Sequence, residues 1–123
     1  MTAVMEHRHA GTTSLVASCV TASAEVLRER TAVLADLCER GELAAIHFEG
    51  PFVSVERCGA QDPTYIIDPD ADLVRELIAL GRGHVATMTI APEKPGVTPM
   101  PMLTNVPSAG TFSQTYSDRK SVV

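Results

Sequence analysis

Ile46-His47-Phe48-Glu49-Gly50-Pro51-Phe52 closes an apolar run that begins at Leu43, and the order of its residues decides how the chain folds. The run suits a buried strand. Glu49 ends it with an acid, Gly50 permits a tight departure, and Pro51 prevents the strand from continuing. In parallel α/β sheets, ligands and chemistry gather just past the carboxyl ends of the strands. Glu49 therefore stands where a metal ligand or a general base would be placed. A lone acid at a strand–loop junction is more often simply solvated, so the reading depends on what surrounds it.

Upstream, Thr13 to Val20 is short, apolar and partly β-branched, which predicts a second buried strand. Thr21 and Ser23 offer N-caps for a helix running to about Arg40, and Gly41 ends it. Along that helix Val26, Leu27, Val33, Leu34, Leu37 and Cys38 recur at helical spacing. Arg28, Glu29, Asp36 and Glu39 fall largely off the stripe. Thr2 to His9 reads as the end of another helix, stopped by Gly11. Downstream, a long connection from Gly50 to Pro69 is punctuated by Gly59, Asp62-Pro63 and Asp68-Pro69. Connections of this length inside compact domains tend to be functional. Asp70 then caps a short helix carrying Leu73, Val74, Leu77, Ile78 and Leu80, with Gly81 and Gly83 at its end. His84 to Ile90 predicts a third strand, closed by Ala91-Pro92. Strands that alternate with helices in this way imply right-handed parallel β-α-β units, an α/β fold.

Composition narrows the function classes. A length of 123 residues fits one domain, and 45% hydrophobic with 20% charged residues is globular rather than disordered. The net charge of −5 comes from interspersed acids and bases, so no basic face suggests nucleic acid or an anionic membrane. With no Trp, two Tyr and three Phe, a base-stacking surface is also disfavoured. Cys19, Cys38 and Cys58 are odd in number and form no C-x-x-C pair, and Met1 to Gly11 lacks the apolar core of a signal peptide. No apolar run approaches the ~20 residues of a membrane-spanning helix. A cytoplasmic location is expected. After Glu93 the character changes: Pro95, Pro99, Pro101 and Pro107 fall in a stretch with no sustained helical period. The chain therefore divides into residues 1–93, the β/α segment, and 94–123, a divergent Pro-rich tail. The last six residues, Asp118-Arg119-Lys120-Ser121-Val122-Val123, look like the translation of a sequencing-adapter sequence. The tail is accordingly expected to be an artefact of frameshift or truncation.

The stretch from Ile46 to Pro63, IHFEGPFVSVERCGAQDP, resembles the signature of the N-acetylglucosamine-6-phosphate deacetylases, a branch of the amidohydrolase superfamily. The likeness extends upstream through Gly11-Thr12-Thr13-Ser14-Leu15-Val16-Ala17-Ser18 and downstream to Thr89-Ile90-Ala91-Pro92-Glu93. An acid, Gly, Pro and an aromatic, followed at fixed distance by Gly-Ala-x-Asp-Pro, is a specific pattern. The resemblance implies part of a (β/α)8 barrel, about three parallel strands with their helices. It also implies a divalent metal cofactor, zinc or iron, and hydrolysis of N-acetylglucosamine 6-phosphate to glucosamine 6-phosphate and acetate. A small-molecule amino-sugar phosphate is then the expected partner, and homodimers are expected of the whole enzyme. The family's remaining metal-binding histidines and its proton-transferring Asp have no counterpart in the matched stretch. No catalytic acid–base residue is expected here, and the piece alone is expected to be inactive. Two alternatives remain: another amidohydrolase, against which Gly59-Ala60-Gln61-Asp62-Pro63 argues, and a non-catalytic β/α fragment.

Carried over by the resemblance, Glu49 becomes a metal ligand, and Ala60 and Gln61 become substrate-contacting residues. The family commonly has His where Gln61 stands. Gln still donates and accepts hydrogen bonds but does not titrate near neutrality. His7-x-His9 imitates the metal-binding pair of amidohydrolases, but it follows a helical pattern and reads as an exposed helix end. His47 reads as a packed wall residue, and His84 as structural at the amino end of its strand. Glu93 could hold a loop or orient a neighbour, and Thr21 faces the same end as Glu49 and could shape the mouth. None of the cysteines is flanked by a base as a nucleophile would be.

Overall fold

The computed structural model describes residues 2–91 and 93–95 of the chain. Its elements follow the predicted order: α1 (Thr2–His9), β1 (Val16–Val20), α2 (Ala24–Glu39), β2 (Ala45–Glu49), α3 (Ala71–Leu80) and β3 (Val85–Thr89). Two single 3-10 turns, Val55–Arg57 and Pro63–Tyr65, punctuate the long connection after β2. The strands form one parallel sheet in the order β1-β2-β3, so β2 is central. Each strand is shorter than its predicted run: Thr13 to Leu15 only lead into β1, Leu43 and Ala44 into β2, and His84 into β3, which ends at Thr89. Most of the predicted tail, residues 96–123, lies outside the described residues.

Local chemistry sets the helix boundaries. Ser23, not Thr21, caps α2: its hydroxyl accepts from the Val26 N–H at 3.3 Å. The Asp70 carboxylate accepts from Asp72 N–H and Leu73 N–H at 2.9 and 3.2 Å, satisfying donors that a helix start leaves unpaired. On α2 the buried stripe is Leu27, Thr31, Ala35 and Cys38. Val33, expected on that stripe, is instead 59% exposed. A helix turns about 100° per residue, so Val33 lies roughly 200° around from Thr31. Thr31 is tolerated in the core because its hydroxyl donates to the Leu27 carbonyl at 2.6 Å.

Helices α2 and α3 lie side by side over one face of the sheet. Leu27, Ala35, Cys38, Leu73, Val74 and Leu77 join Cys19, Ile46, Phe48, Val85 and Met88 in a single buried cluster. Ile46 and Phe48 are fully buried, and each contributes roughly 1.5–3 kcal/mol by leaving water. The alternate residues of β2, His47 and Glu49, face the other way. A register shift after the Ile46–Val85 pair makes Ala86 an extra residue, so Thr87 pairs with His47 and Thr89 with Glu49. The bulge thus turns both threonines to the face away from the helices. Burial also pushes the Cys19 and Cys38 thiols up from their usual range, which leaves both in the unreactive protonated form.

Leu77 sits at the junction of α3 with the sheet, so Leu77→Ala should lower stability in urea unfolding by about 2–5 kcal/mol. Val33→Ala, at an exposed position, should stay within about 0.5 kcal/mol. Equal losses for the two variants would mean that the packing face of α2 has been misassigned.

Candidate active-site face

All three parallel strands end on one side of the sheet, and the register brings Val20, Glu49 and Thr89 level there. Glu49 is the acid of this row. Its side chain is exposed, and none of the ion pairs among the described residues involves it. The fold engages its backbone instead: the Thr21 hydroxyl donates to the Glu49 carbonyl at 3.1 Å. The strand end is held while the carboxylate is left available.

Gly50 explains why the chain can turn away so sharply. Its φ of +98° is a backbone conformation that L side chains rarely adopt, and a Cβ there would lie 2.2 Å from the Thr21 hydroxyl oxygen. The Gly50–Pro51 peptide is cis. The loop that follows is fastened over the strand ends at several points. The Thr21 N–H donates to Gln61 Oε1 at 2.8 Å, beside the end of β1. The Ala91 N–H donates to the Phe52 carbonyl at 2.8 Å, just past β3. The Lys94 ammonium reaches the Ile67 carbonyl and pairs with Asp68 at 3.1 Å. Ile67 N–H closes the base of the loop on the Pro51 carbonyl. Gln61 is thereby brought to the same end of the sheet as Glu49. Ala60, immediately before it, is exposed, and so is Glu93.

The histidines lie elsewhere or are already engaged. His7 and His9 are exposed on the last turn of α1, whose Arg8 donates to the Gly41 carbonyl at 3.0 Å and pairs with Glu42. That contact lies before the amino end of β2, a strand that puts roughly 13 Å between Ala45 and Glu49 at ~3.3 Å per residue. His84 opens β3 at the same distant end. His47 shares a face with Glu49, but Nδ1 lies 2.5 Å from the Thr87 hydroxyl and Nε2 is 3.5 Å from that of Thr89. Among the described residues no group of three or more His, Cys, Asp or Glu is placed to hold a metal ion. The donor chemistry of Glu49 suits a hard cation, but the described residues offer one carboxylate and not a complete metal site. A groove of about 430 Å³ between β1 and α2, lined by Ala17, Val20, Arg30 and Val33, is separate from both Glu49 and Gln61. No helix among the described residues is long and apolar enough to cross a membrane.

The Thr21–Gln61 bond joins residues 40 positions apart, and nothing local in the sequence announces it. The nearest signal is Gly50, a residue without a side chain directly after the acid, which implies something packed against it.

A parallel β/α unit with a carboxylate and a loop amide gathered at its strand ends has the layout of the site face of β/α-barrel enzymes. Known proteins narrow the class. The chain is 35% identical over 89 residues to the N-acetylglucosamine-6-phosphate deacetylase of Lysinibacillus sphaericus, a match covering 69% of the chain and 23% of that protein. It is 42% identical over 53 residues to the Bacillus subtilis (strain 168) protein of the same name, covering 43% of the chain and 13% of that protein. The crystal structure of N-acetyl-D-glucosamine-6-phosphate deacetylase from Mycobacterium smegmatis superposes with a TM-score of 0.75 at 44% identity, over 76% of the chain and 25% of that structure. A mutant of the M. smegmatis enzyme in complex with N-acetyl-D-glucosamine-6-phosphate matches equally well. Sequence and structure neighbours therefore carry one name, N-acetylglucosamine-6-phosphate deacetylase, and the chain spans about a quarter or less of their length. No family model matches the chain.

Gly50→Ala should cost roughly 2–4 kcal/mol, from the strained φ and the collision with Thr21 together. Urea unfolding of the variant measures it. A loss below 0.5 kcal/mol on that order-of-magnitude scale would contradict the packing of Thr21 against Gly50.

Proposed function

We propose that this chain carries part of a metal-dependent deacetylase that converts N-acetylglucosamine 6-phosphate to glucosamine 6-phosphate and acetate. The observation that carries the reading is the position of Glu49: an available carboxylate at the end of the central parallel strand, inside the segment shared with the deacetylases. A divalent cation, zinc or iron, supplies polarisation of a carbonyl or activation of water in enzymes of this kind. Glu49 is one oxygen ligand to that cation, with the other ligands and the proton-transferring acid drawn from outside the described residues. Gln61 and Ala60 face the amino sugar. Three free thiols suit a reducing cytoplasm, and the assembled enzyme is expected to dimerise.

The test is a chimera in which the matched segment of this chain replaces its counterpart in the M. smegmatis enzyme. The chimera should bind metal and release acetate from N-acetylglucosamine 6-phosphate. Glu49→Gln in the chimera should lower both metal content and turnover by at least about a hundredfold, as expected when a metal ligand is removed. The 123-residue chain alone, given excess zinc or iron, should show no turnover. Unchanged metal content with normal acetate release in the Glu49→Gln chimera would refute the ligand assignment.

A further inference from the structure

Thr21 follows β1 directly and is 6% exposed. It makes two long-range bonds of opposite origin. Its hydroxyl donates to the Glu49 carbonyl, and its backbone N–H donates to Gln61 Oε1. A backbone N–H can only donate, whereas a glutamine amide has one end that accepts and one that donates. Turning the Gln61 amide over would set two donors against each other and leave the Thr21 N–H unsatisfied. The amide orientation is therefore fixed by chemistry: Oε1 points to Thr21 and Nε2 points away. Among the described residues Nε2 makes no hydrogen bond, so none of them occupies this NH2.

We propose that Thr21 is a positioning residue that couples the Glu49 strand end to Gln61 and fixes the Gln61 amide so that its NH2 is the end presented to a ligand at the mouth of the site. The group it takes is an acceptor oxygen of the ligand, from the sugar or from its phosphate. The ligand half of this proposal rests on the deacetylase reading above; the Thr21–Gln61 bracket does not. An amide free to rotate would offer either polarity to a ligand. One tethered through Oε1 presents its two N–H donors and so favours an acceptor oxygen over a donor-only group such as an ammonium.

The experiment uses the full chain, isotope-labelled, observed by NMR. Exchange of the Thr21 amide proton should speed up roughly tenfold in Gln61→Ala, the loss expected for one hydrogen bond. Gln61→Glu should restore protection, because a carboxylate still accepts from Thr21. The Ile67 amide, bonded to Pro51 in the same loop, should exchange at the same rate in all three proteins, which separates a lost bracket from a loosened loop. Thr21 exchange that ignores Gln61→Ala, or that Gln61→Glu fails to rescue, would overturn the bracket. In the second arm N-acetylglucosamine 6-phosphate, N-acetylglucosamine and inorganic phosphate are each titrated to saturation into the deacetylase chimera proposed above, which supplies the rest of the site. The Gln61 side-chain NH2 signals should move with N-acetylglucosamine 6-phosphate. A matching shift with N-acetylglucosamine alone assigns the acceptor to the sugar, and one with phosphate alone assigns it to the phosphate. If the Gly50 and Thr89 amides move while the Gln61 NH2 stays still, the donor role is wrong and the deacetylase reading stands. If none of them moves, both fail.

Discussion

The hydroxyl of Thr21 occupies the space that a side chain at position 50 would need, and the strand end is built around that fact. Because residue 50 is glycine, the chain can take a positive φ immediately after Glu49 and leave the sheet without covering the acid. Because the hydroxyl donates to the Glu49 carbonyl, the last peptide of the central strand stays in place even though the ladder ends there. The same residue holds the loop that follows, through its N–H and Gln61. Strand, turn and loop are thus fixed by one side chain and one backbone group.

Parallel pairing gives the sheet two chemically different ends. The amino end is the structural one, where Arg8 locks α1 to the α2–β2 connection and His84 enters β3. The carboxyl end gathers Glu49, Gln61 and the loop from Gly50 to Pro69, which Phe52, Asp68 and Lys94 fasten beyond β3. Lys94, which the sequence places in the tail, is part of this fastening. The separation explains why His7-x-His9 is not a metal pair here despite its spacing: it belongs to the wrong end. His47 is on the right face, but Thr87 and Thr89 engage its ring, and it serves as wall.

Element order was legible because its signals are local. Asp70 and Ser23 cap as their positions suggest, Gly41 and Gly81 end helices, and the apolar runs mark the three strands. The strand-end position of Glu49 was legible as well, since Gly-Pro directly after it stops the strand there. What escaped is non-local. Simple alternation puts Val85 on the same face as Thr87 and Thr89, and only the extra residue Ala86 moves the threonines to the face of His47. Helical spacing alone promoted Val33 to the core and overlooked Thr31, a polar residue made burial-competent by its own helix backbone. Thr21 showed itself in sequence as a mouth residue, but its two bonds depend on a fold that brings positions 28 and 40 residues away beside it.

The central proposal is that Glu49 would ligate a divalent cation in the complete enzyme. Anomalous diffraction at the zinc edge from crystals of the deacetylase chimera tests it most directly. The account predicts a metal peak about 2.0–2.2 Å from a Glu49 carboxylate oxygen, the usual zinc–oxygen distance. A fully occupied metal held by other residues, with the Glu49 carboxylate turned away into solvent, would contradict it.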